Sequence, residues 1–385
     1  MEYPNYTSYV PFYKELVSIC RKFSKAIIVL GGSGFSLFPI ELFELLHPDY
    51  GIVGEGEKSF IALIESIEKN EQLNKIVYSN RLNISDSPLI PDRSIFNFKG
   101  YYDLGGMLNI QTKRGCAFNC SYCTYPYLEG YKVRPKRPAV VVDEIEQIVD
   151  RYRVKHFFFV DNVFNYPESH AFDVCNEIIK RGVKIKWYAY IRPQMKDLNL
   201  INMLKEAGCR SIELGTDSMA MPTLESMSKR LKIDDIFTFC ERCREVGINY
   251  CHSLLFGAPG ETFETIKTTV ANVEATEPDA IIAFLGIRIY PNTPLAKYCV
   301  ETGYIKNRDK IGLEPVFYMN REVEGGIIDY LKGVMKRDER WIIPGIEALD
   351  LEFFNLLRRK KKKGLMWEMK KYINYIIAFG KDIAE

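Results

Sequence analysis

The sequence has no run of about 18 uncharged apolar residues, which is the length that a membrane-spanning helix requires. Its first residues lack the charged and apolar regions that form a signal peptide. The formal net charge of the 385 residues is only +2, so no overall field attracts nucleic acid. These absences predict a cytoplasmic protein with no transmembrane segment and no nucleic-acid partner.

The chain also lacks repeats of fixed period and low-complexity segments. Apolar residues make up 47% and charged residues 26%, which is ordinary globular composition and argues against disorder. Ten cysteines are present, and disulfides are rare in the cytosol. We therefore interpret the cysteines as reduced thiols, metal ligands or catalytic groups.

Periodicity divides the chain into four regions. Residues 1–80 alternate short apolar strands with helical patterns, which predicts a small parallel sheet. Residues 81–106 are punctuated by proline, glycine and aspartate, and we interpret them as a linker. A βα rhythm repeats over residues 107–309, whereas residues 310–385 lose the strand signals and predict a mainly helical cover.

The third region contains six predicted βα units. Six units are too few to close an eight-stranded barrel, but their regular alternation favours a barrel-like or doubly wound parallel sheet. Such folds bind ligands at the carboxyl ends of the strands, so the residues after each strand are candidates for chemistry. The candidate strands span residues 108–113, 156–160, 184–190, 210–214, 249–256 and 281–289.

Three cysteines follow the first of these strands. Cys116, Cys120 and Cys123 lie within eight residues, and soft thiolates in this number suit an iron–sulfur cluster or zinc. A structural zinc site requires a fourth cysteine or histidine nearby, and the next histidine is His156. Three ligands would leave one iron open to a reacting ligand.

The spacing of these cysteines, with Tyr122 before the last one, resembles that of the radical S-adenosylmethionine (SAM) enzymes. The resemblance covers about residues 107–300. It implies a four-iron four-sulfur cluster on the three cysteines, with SAM chelating the fourth iron. It also implies reductive cleavage of SAM to a 5′-deoxyadenosyl radical, an electron donor such as flavodoxin or ferredoxin, and a partial (β/α)6 TIM-like barrel.

The same resemblance implies that SAM binds across the strand ends. Asp161 and Asn162 stand where the family binds the methionyl amino group, and Arg192 could pair with a carboxylate in bidentate fashion. The alternative for each polar residue is a helix cap or a loop contact. The candidate SAM-binding residues are Tyr122, Asp161, Asn162, Arg192, Thr216, Asp217, Pro259, Gly260, Arg288 and Tyr290.

The N-terminal region carries a second resemblance. Residues 30–39 and 54–57 are similar to the second half of a cobalamin-binding domain, which precedes the barrel in one branch of the superfamily. None of the four histidines stands in the Asp-x-His-x-x-Gly motif whose histidine often binds cobalt in that domain. We therefore expect a truncated flavodoxin-like α/β half-domain over residues 1–80, and we expect that cobalamin is an unlikely cofactor.

Two further features have both a structural and a functional interpretation. Cys240 and Cys243 lie on a helical pattern, and we favour core thiols over an auxiliary cluster. The basic run at 358–363 precedes an aromatic-rich helical pattern, which could lie on a membrane surface or pack across the barrel mouth. Surface binding would suit a lipid-like substrate.

Three functional hypotheses follow. The first is a radical SAM enzyme that abstracts hydrogen from an unknown small-molecule or lipid-like substrate without cobalamin. The second is a cobalamin-dependent radical SAM methyltransferase, with the rest of the cobalamin domain outside this chain. The third is a non-catalytic iron–sulfur protein, which would explain the cysteines but not the βα units with polar strand ends. Beyond the cofactor-binding residues, the sequence identifies no catalytic residue.

Overall fold

The structure is a computed structural model that describes residues 8–85, 90–306, 311–346 and 363–369. The chain divides into two compact units, each discontinuous in sequence. The cysteine-loop unit comprises Met1–Asn83, Gly115–Val133 and Ile287–Tyr318. The sheet unit comprises Ile84–Arg114, Arg134–Gly286 and Met319–Glu385.

The helices and strands are numbered in chain order. The helices are α1 (Val10–Phe23), α2 (Gly32–Leu37), α3 (Pro39–Leu46), α4 (Gly56–Glu68), α5 (Phe98–Asp103), α6 (Tyr125–Glu129), α7 (Pro138–Tyr152), α8 (Glu168–Lys180), α9 (Asn199–Glu206), α10 (Met221–Ser226), α11 (Ile233–Val246), α12 (Phe263–Ala275), α13 (Pro294–Glu301), α14 (Arg321–Glu324) and α15 (Ile327–Arg337). The strands are β1 (Val29–Leu30), β2 (Tyr50–Val53), β3 (Ile76–Tyr78), β4 (Leu108–Ile110), β5 (Lys113–Arg114), β6 (Arg134–Pro135), β7 (His156–Phe159), β8 (Lys186–Ile191), β9 (Cys209–Asp217), β10 (Asn249–Phe256), β11 (Ala280–Leu285), β12 (Ile287–Arg288), β13 (Phe317–Tyr318) and β14 (Trp341–Ile342).

The sheet unit is built on one seven-stranded parallel sheet, with strand order β14-β11-β10-β9-β8-β7-β4. Helices connect successive strands, as parallel pairing requires. α7 buries Val142, Ile145 and Ile148, which follow one another at helical spacing on one face. The predicted α/β class and the six predicted strand regions are therefore confirmed.

Two of the predicted strands are shorter in the structure. The first ends at Ile110, because Lys113 and Arg114 leave the parallel sheet and pair antiparallel with β6. The last is interrupted at Gly286, whose φ of +77° favours glycine over residues with a side chain. The sheet strand β11 thus ends before Arg288, which lies in β12 and pairs with β13.

The described part of the C-terminal region, residues 311–346 and 363–369, contains short strands that the sequence does not predict. α14 and α15 are present, but β13 pairs antiparallel with β12 and β14 adds a seventh parallel strand beside β11. The side chain of Trp341 in β14 is fully buried, and its ring stacks on that of Phe256 at a centroid distance of 6.4 Å. This packing stabilises β14 beside β11. Of the basic run at 358–363, only Lys363 lies within the described residues.

The cysteine-loop unit contains a three-stranded parallel sheet in the order β1-β2-β3. The pattern of alternating helices and strands predicts this arrangement, although not β3 itself. Gly51 in β2 leaves room for Phe35 of α2, since a Cβ at this position would lie 2.2 Å from the phenyl ring. Within the part of the chain that the structure describes, no helix has the length and apolar character to cross a membrane.

Candidate functional site

The three predicted cluster ligands lie on one irregular loop between Gly115 and α6. Gly115 begins it with φ of +92°, and a Cβ there would lie 2.3 Å from the Lys132 carbonyl oxygen, so only glycine fits. The Cys116 amide donates to the Gly130 carbonyl at 2.9 Å, and the Gly115 amide donates to Glu129 at 2.9 Å. These bonds tie both ends of the loop together.

The three loop cysteines differ in exposure. Cys116 is 9% exposed, whereas Cys120 and Cys123 are half-buried. The Cys123 amide donates to the Cys120 carbonyl at 3.1 Å, which turns the chain between the last two thiols. Among the described residues, no three Cys, His, Asp or Glu side chains are grouped as a ready metal site. A four-iron cluster is larger than a single ion, and three thiols on one loop suit such a cluster chemically.

The remaining predicted site residues of this unit are Tyr122, Arg288 and Tyr290. The Leu295 amide of α13 donates to the Ser121 carbonyl at 2.8 Å, and Tyr122 beside it is half-buried. Arg288 places its guanidinium 4.6 Å from the centre of the Tyr290 ring, a cation–π contact.

A cavity of about 800 Å³ opens within the cysteine-loop unit. Its wall is formed by residues of α1, the glycine-rich turn into α2, and Arg288 and Tyr290. Gly32 and Gly34 line the cavity, and a Cβ at either position would meet no atom within 4 Å. α2 in turn contacts α6, which directly follows the cysteine loop. The cavity has the size of a site for a large organic ligand.

In the sheet unit, the predicted residues lie at the carboxyl ends of neighbouring parallel strands. Asp161 is almost fully buried after β7. Its Oδ1 accepts from the Thr112 amide at 2.8 Å and the Lys113 amide at 3.1 Å. Its Oδ2 accepts from the Thr112 hydroxyl at 2.6 Å and the Lys113 ammonium at 3.1 Å. Both oxygens are thus engaged by the chain itself, which argues for a structural role over a SAM contact.

The ammonium of Lys113 is held in the interior by this carboxylate. It also donates to the Phe164 carbonyl at 2.9 Å. Burial lowers the pKa of Lys113, and the neighbouring Asp161 acts in the opposite direction. His170 approaches the Thr112 hydroxyl at 3.2 Å, and burial and Lys113 lower the pKa of this imidazole to about 4.

Arg192 follows β8 and is nearly buried. Its guanidinium donates to the backbone carbonyls of Lys229 and Arg230 at 2.5 and 2.6 Å. The Arg192 amide donates to Asn165 at 3.0 Å. These contacts secure a loop in which Arg230 has a positive φ of 51°.

Thr216 and Asp217 end β9 and face different partners. The Thr216 hydroxyl contacts His252 Nδ1 at 2.7 Å, and burial lowers the pKa of that imidazole to about 3. Asp217 forms an ion pair with Lys229 at 2.6 Å, and both side chains are less than one tenth exposed. Asp217 has a φ of +65°, a strained conformation of the kind that clusters at functional sites.

Pro259 and Gly260 lie in the loop after β10, which is organised by Glu261. One carboxylate oxygen of Glu261 accepts from the amides of Gly257 and Ala258, the latter at 3.3 Å. The other oxygen, Oε1, is buried and has no hydrogen-bond partner among the described residues. Burial raises the pKa of Glu261 to about 7.

The structure thus brings seven predicted residues to one edge of the sheet: Asp161, Asn162, Arg192, Thr216, Asp217, Pro259 and Gly260. The others lie in the cysteine-loop unit: Cys116, Cys120, Cys123, Tyr122, Arg288 and Tyr290. Sequence reasoning missed Lys113, Lys229 and Glu261. The signal for Lys113 is a charged residue directly after an apolar strand, and Glu261 follows a Gly-x-Pro-Gly turn. Direct contacts of the predicted residues with SAM stay a prediction.

Cys240 and Cys243 lie on the inward face of α11 and are buried. Burial raises the pKa of Cys240 to about 12 and that of Cys243 well above its ordinary value. Such thiols are poor ligands and nucleophiles.

Comparison with known proteins supports the sequence resemblance. Residues 110–273 match the family model described as Radical SAM superfamily, so this part of the chain has the sequence of a radical SAM domain. The resemblance carried by the cysteine spacing, which lies within this range, is confirmed.

Two curated relatives have names that state a particular reaction. The chain is 24% identical over 372 residues to tryptophan 2-C-methyltransferase of Streptomyces laurentii, a match covering 76% of this chain and 61% of that protein. It is 29% identical over 342 residues to anaerobic magnesium-protoporphyrin IX monomethyl ester cyclase of Cereibacter sphaeroides, covering 82% and 55% respectively. The chain thus spans less than two thirds of the length of either relative.

The fold is similar to that of the radical SAM methyltransferase TsrM from Kitasatospora setae, solved with cobalamin and a [4Fe-4S] cluster bound. The TM-score is 0.85 and the sequence identity 21%, over 98% of this chain and 85% of TsrM. A second TsrM structure holds tryptophan substrate and the SAM analogue aza-SAM. At this identity the similarity establishes the fold and not the activity.

These findings do not support the expectation that cobalamin is unlikely. The fold match covers nearly the whole chain, and the matched TsrM structure was solved with cobalamin bound.

Proposed function

We propose that this chain is a cobalamin-dependent radical SAM methyltransferase that acts on a small molecule. The observation that carries the proposal is the cavity of about 800 Å³ beside the glycine-rich turn, in the same unit as the cysteine loop. The whole-chain similarity to TsrM supports it. The proposal replaces hydrogen abstraction from a lipid-like substrate as the preferred hypothesis.

The proposed cluster ligands are Cys116, Cys120 and Cys123. Their three thiols leave one iron of a [4Fe-4S] cluster without a protein ligand, where SAM would bind. Such a cluster supplies one electron for the reductive cleavage of SAM when an external donor such as flavodoxin or ferredoxin reduces it. Cys116 is 9% exposed, so little solvent reaches this proposed ligand. We further propose that the parallel sheet forms a partial barrel of six βα units, with SAM contacts at its carboxyl edge.

The cavity suits cobalamin in its lining as well as its size. Gly32 and Gly34 present backbone without side chains, so a planar ligand can approach closely. Tyr9, Tyr13 and Phe35 add aromatic surface. No histidine is among the described residues that line it, so the cavity offers no imidazole to cobalt. Cobalamin would supply the methyl carrier, and these residues would bind and orient it.

A second candidate function keeps the same cluster without methyl transfer. The relative with 29% identity is a cyclase by its name, not a methyltransferase. A radical SAM enzyme that begins by abstracting hydrogen is therefore the alternative to test. The third hypothesis, a non-catalytic iron–sulfur protein, is not supported, because the matched domain and relatives are enzymatic.

The experiment uses the anaerobically reconstituted chain with SAM carrying a deuterated methyl group, a low-potential reductant, and cobalamin either present or omitted. We expect deuterated methylcobalamin to form when cobalamin is present. Cobalamin-independent release of 5′-deoxyadenosine, with no label transferred to added cobalamin, would overturn the proposal and favour the second candidate.

A matched pair of variants locates the methyl carrier. Gly34→Leu places a side chain in the cavity without backbone strain, because a Cβ there meets nothing within 4 Å. Gly333→Leu makes the same change on α15, where a Cβ also meets nothing. We expect only Gly34→Leu to abolish methylcobalamin formation. Equal activity of both variants would place cobalamin elsewhere.

A further inference from the structure

A second cavity, of about 410 Å³, lies in the sheet unit at the opposite ends of the strands from the predicted SAM site. His156, Lys186 and Arg210 stand at or next to the first residues of β7, β8 and β9. The cavity therefore opens at the amino-terminal edge of the sheet. Neither the radical SAM chemistry nor the proposed methyl transfer uses this edge.

The lining of this cavity is strongly basic. Four cationic side chains face it, from Lys186, Lys205, Arg210 and Lys363, against one carboxylate, Glu368. The two oxygens of Glu368 already accept from the Ser211 hydroxyl and from the Leu365 amide, the latter at 3.0 Å. Among the described lining residues, four positive charges thus face one negative charge.

Two of the four cations are held by the chain. The Lys205 ammonium donates to the Gly247 carbonyl. The Lys363 ammonium donates to the Tyr102 carbonyl at 2.7 Å and lies 4.0 Å from the centre of that ring. These contacts fix positive charge at the cavity wall at a defined place.

The other two cations have no such anchor. Within the described ranges, the side chains of Lys186 and Arg210 make no hydrogen bond or ion pair, although both are exposed and lie on adjacent strands. Lys186 is paired in register with His156 of β7. Burial, together with the charges of Lys186, Lys363 and Arg210, lowers the pKa of His156 to about 4.

We propose that this cavity binds a small phosphate-bearing molecule. Four cations that face a single carboxylate among the described lining residues repel one another, and a bound dianion would reduce that repulsion. Phosphate groups carry nearly two negative charges at neutral pH, and an arginine can bind them through two parallel hydrogen bonds. A volume of about 410 Å³ exceeds what a free phosphate fills, so a phosphate monoester or diphosphate fits better.

The test is calorimetric titration of the full-length chain with inorganic phosphate, pyrophosphate and a phosphate monoester. The variants are Lys186→Gln and Arg210→Gln, each of which removes one unanchored cation. The control is Lys267→Gln, which removes the same charge from an exposed position on α12 outside the cavity. We expect each cavity variant to weaken binding at least about tenfold, and the control to leave it within about twofold.

Three results would overturn the proposal. The first is saturable binding that Lys186→Gln and Arg210→Gln leave unchanged, and the second is the absence of binding to all three ligands. The third is binding confined to vesicles of anionic phospholipid, which would indicate a membrane surface instead of a small ligand. Because none of these measurements requires the cluster, SAM or cobalamin, their outcome is independent of the proposed methyl transfer.

Discussion

At the scale of single residues, spacing identifies ligands that are close in sequence and misses partners that are distant. Cys116, Cys120 and Cys123 could be predicted because eight residues contain all three. Lys113 and Asp161 are 48 residues apart, so no local pattern reveals that they form a buried ion pair. The structure places Asp161, Arg192 and Asp217 at strand ends, as the sequence predicts, but it places Arg288 outside the parallel sheet. The contacts that these side chains make could not be predicted from the local sequence.

The cysteines give the first prediction. Changing Cys116, Cys120 or Cys123 to alanine should lower iron from about four per chain to near zero after anaerobic reconstitution, because each removes a cluster ligand. Cys20→Ala, on the exposed surface of α1, is the control and should retain full iron content. Iron retained by all three loop variants would show that the cluster lies elsewhere.

Asp161 gives the second prediction. Asp161→Asn should lower the free energy of unfolding by about 3 kcal/mol, because it leaves the buried Lys113 ammonium without its counter-charge. The control is Asp103→Asn, whose pair with Lys99 is exposed and should contribute less than about 1 kcal/mol. Denaturant unfolding measures both. An unchanged stability for Asp161→Asn, with weakened SAM binding, would restore the SAM-contact interpretation.

Glu261 gives a prediction about pH. Its pKa is about 7 in the folded chain against 4.5 in an exposed reference, so the folded state binds more protons between these values. Stability should therefore fall as pH rises through this window, by up to about 3 kcal/mol. Glu261→Gln removes this dependence and should gain stability over the wild type between pH 5 and pH 8.

The measurement is the difference in free energy of unfolding between Glu261→Gln and the wild type at each pH. Glu264→Gln is the control, since this exposed glutamate lies three residues further along the chain. Parallel stability curves for the wild type and Glu261→Gln would contradict the raised pKa.

At the scale of elements, long periodic segments were predictable and short strands were not. β10 spans Asn249–Phe256, the range that its apolar run predicts. β3, β5, β13 and β14 contain two or three residues each, which is too short for a period of two to be recognised. These residues form strands because they pair with a partner strand, and the partner lies elsewhere in the sequence.

β14 supplies the prediction at this scale. Trp341→Ala should lower the free energy of unfolding by about 3–5 kcal/mol, because a fully buried indole is lost from beside Phe256. The indole also donates to Glu274 at 3.0 Å. Phe172→Ala, at a side chain 40% exposed on α8, should cost less than about 1 kcal/mol. Equal losses would mean that β14 does not belong to the core.

At the scale of the whole molecule, local sequence patterns do not predict which segments of the chain pack together in one compact unit. Residues 1–80 and 107–309 differ in rhythm, which predicts two α/β regions. The structure groups the cysteine loop and Ile287–Tyr318 with the N-terminal segment, because chain contacts there are non-local. This grouping places the glycine-lined cavity and the cysteines in one unit, which supports the proposed use of cobalamin.

The measurement that tests this account most directly is titration of hydroxocobalamin into the reconstituted wild-type chain, followed by its visible spectrum after removal of unbound ligand. We predict saturation at one cobalamin per chain, with the iron content unchanged. Gly34→Leu should lose this binding, and Gly333→Leu should keep it. A wild-type chain that carries an intact cluster and cleaves SAM, yet retains no cobalamin, would contradict the proposed function.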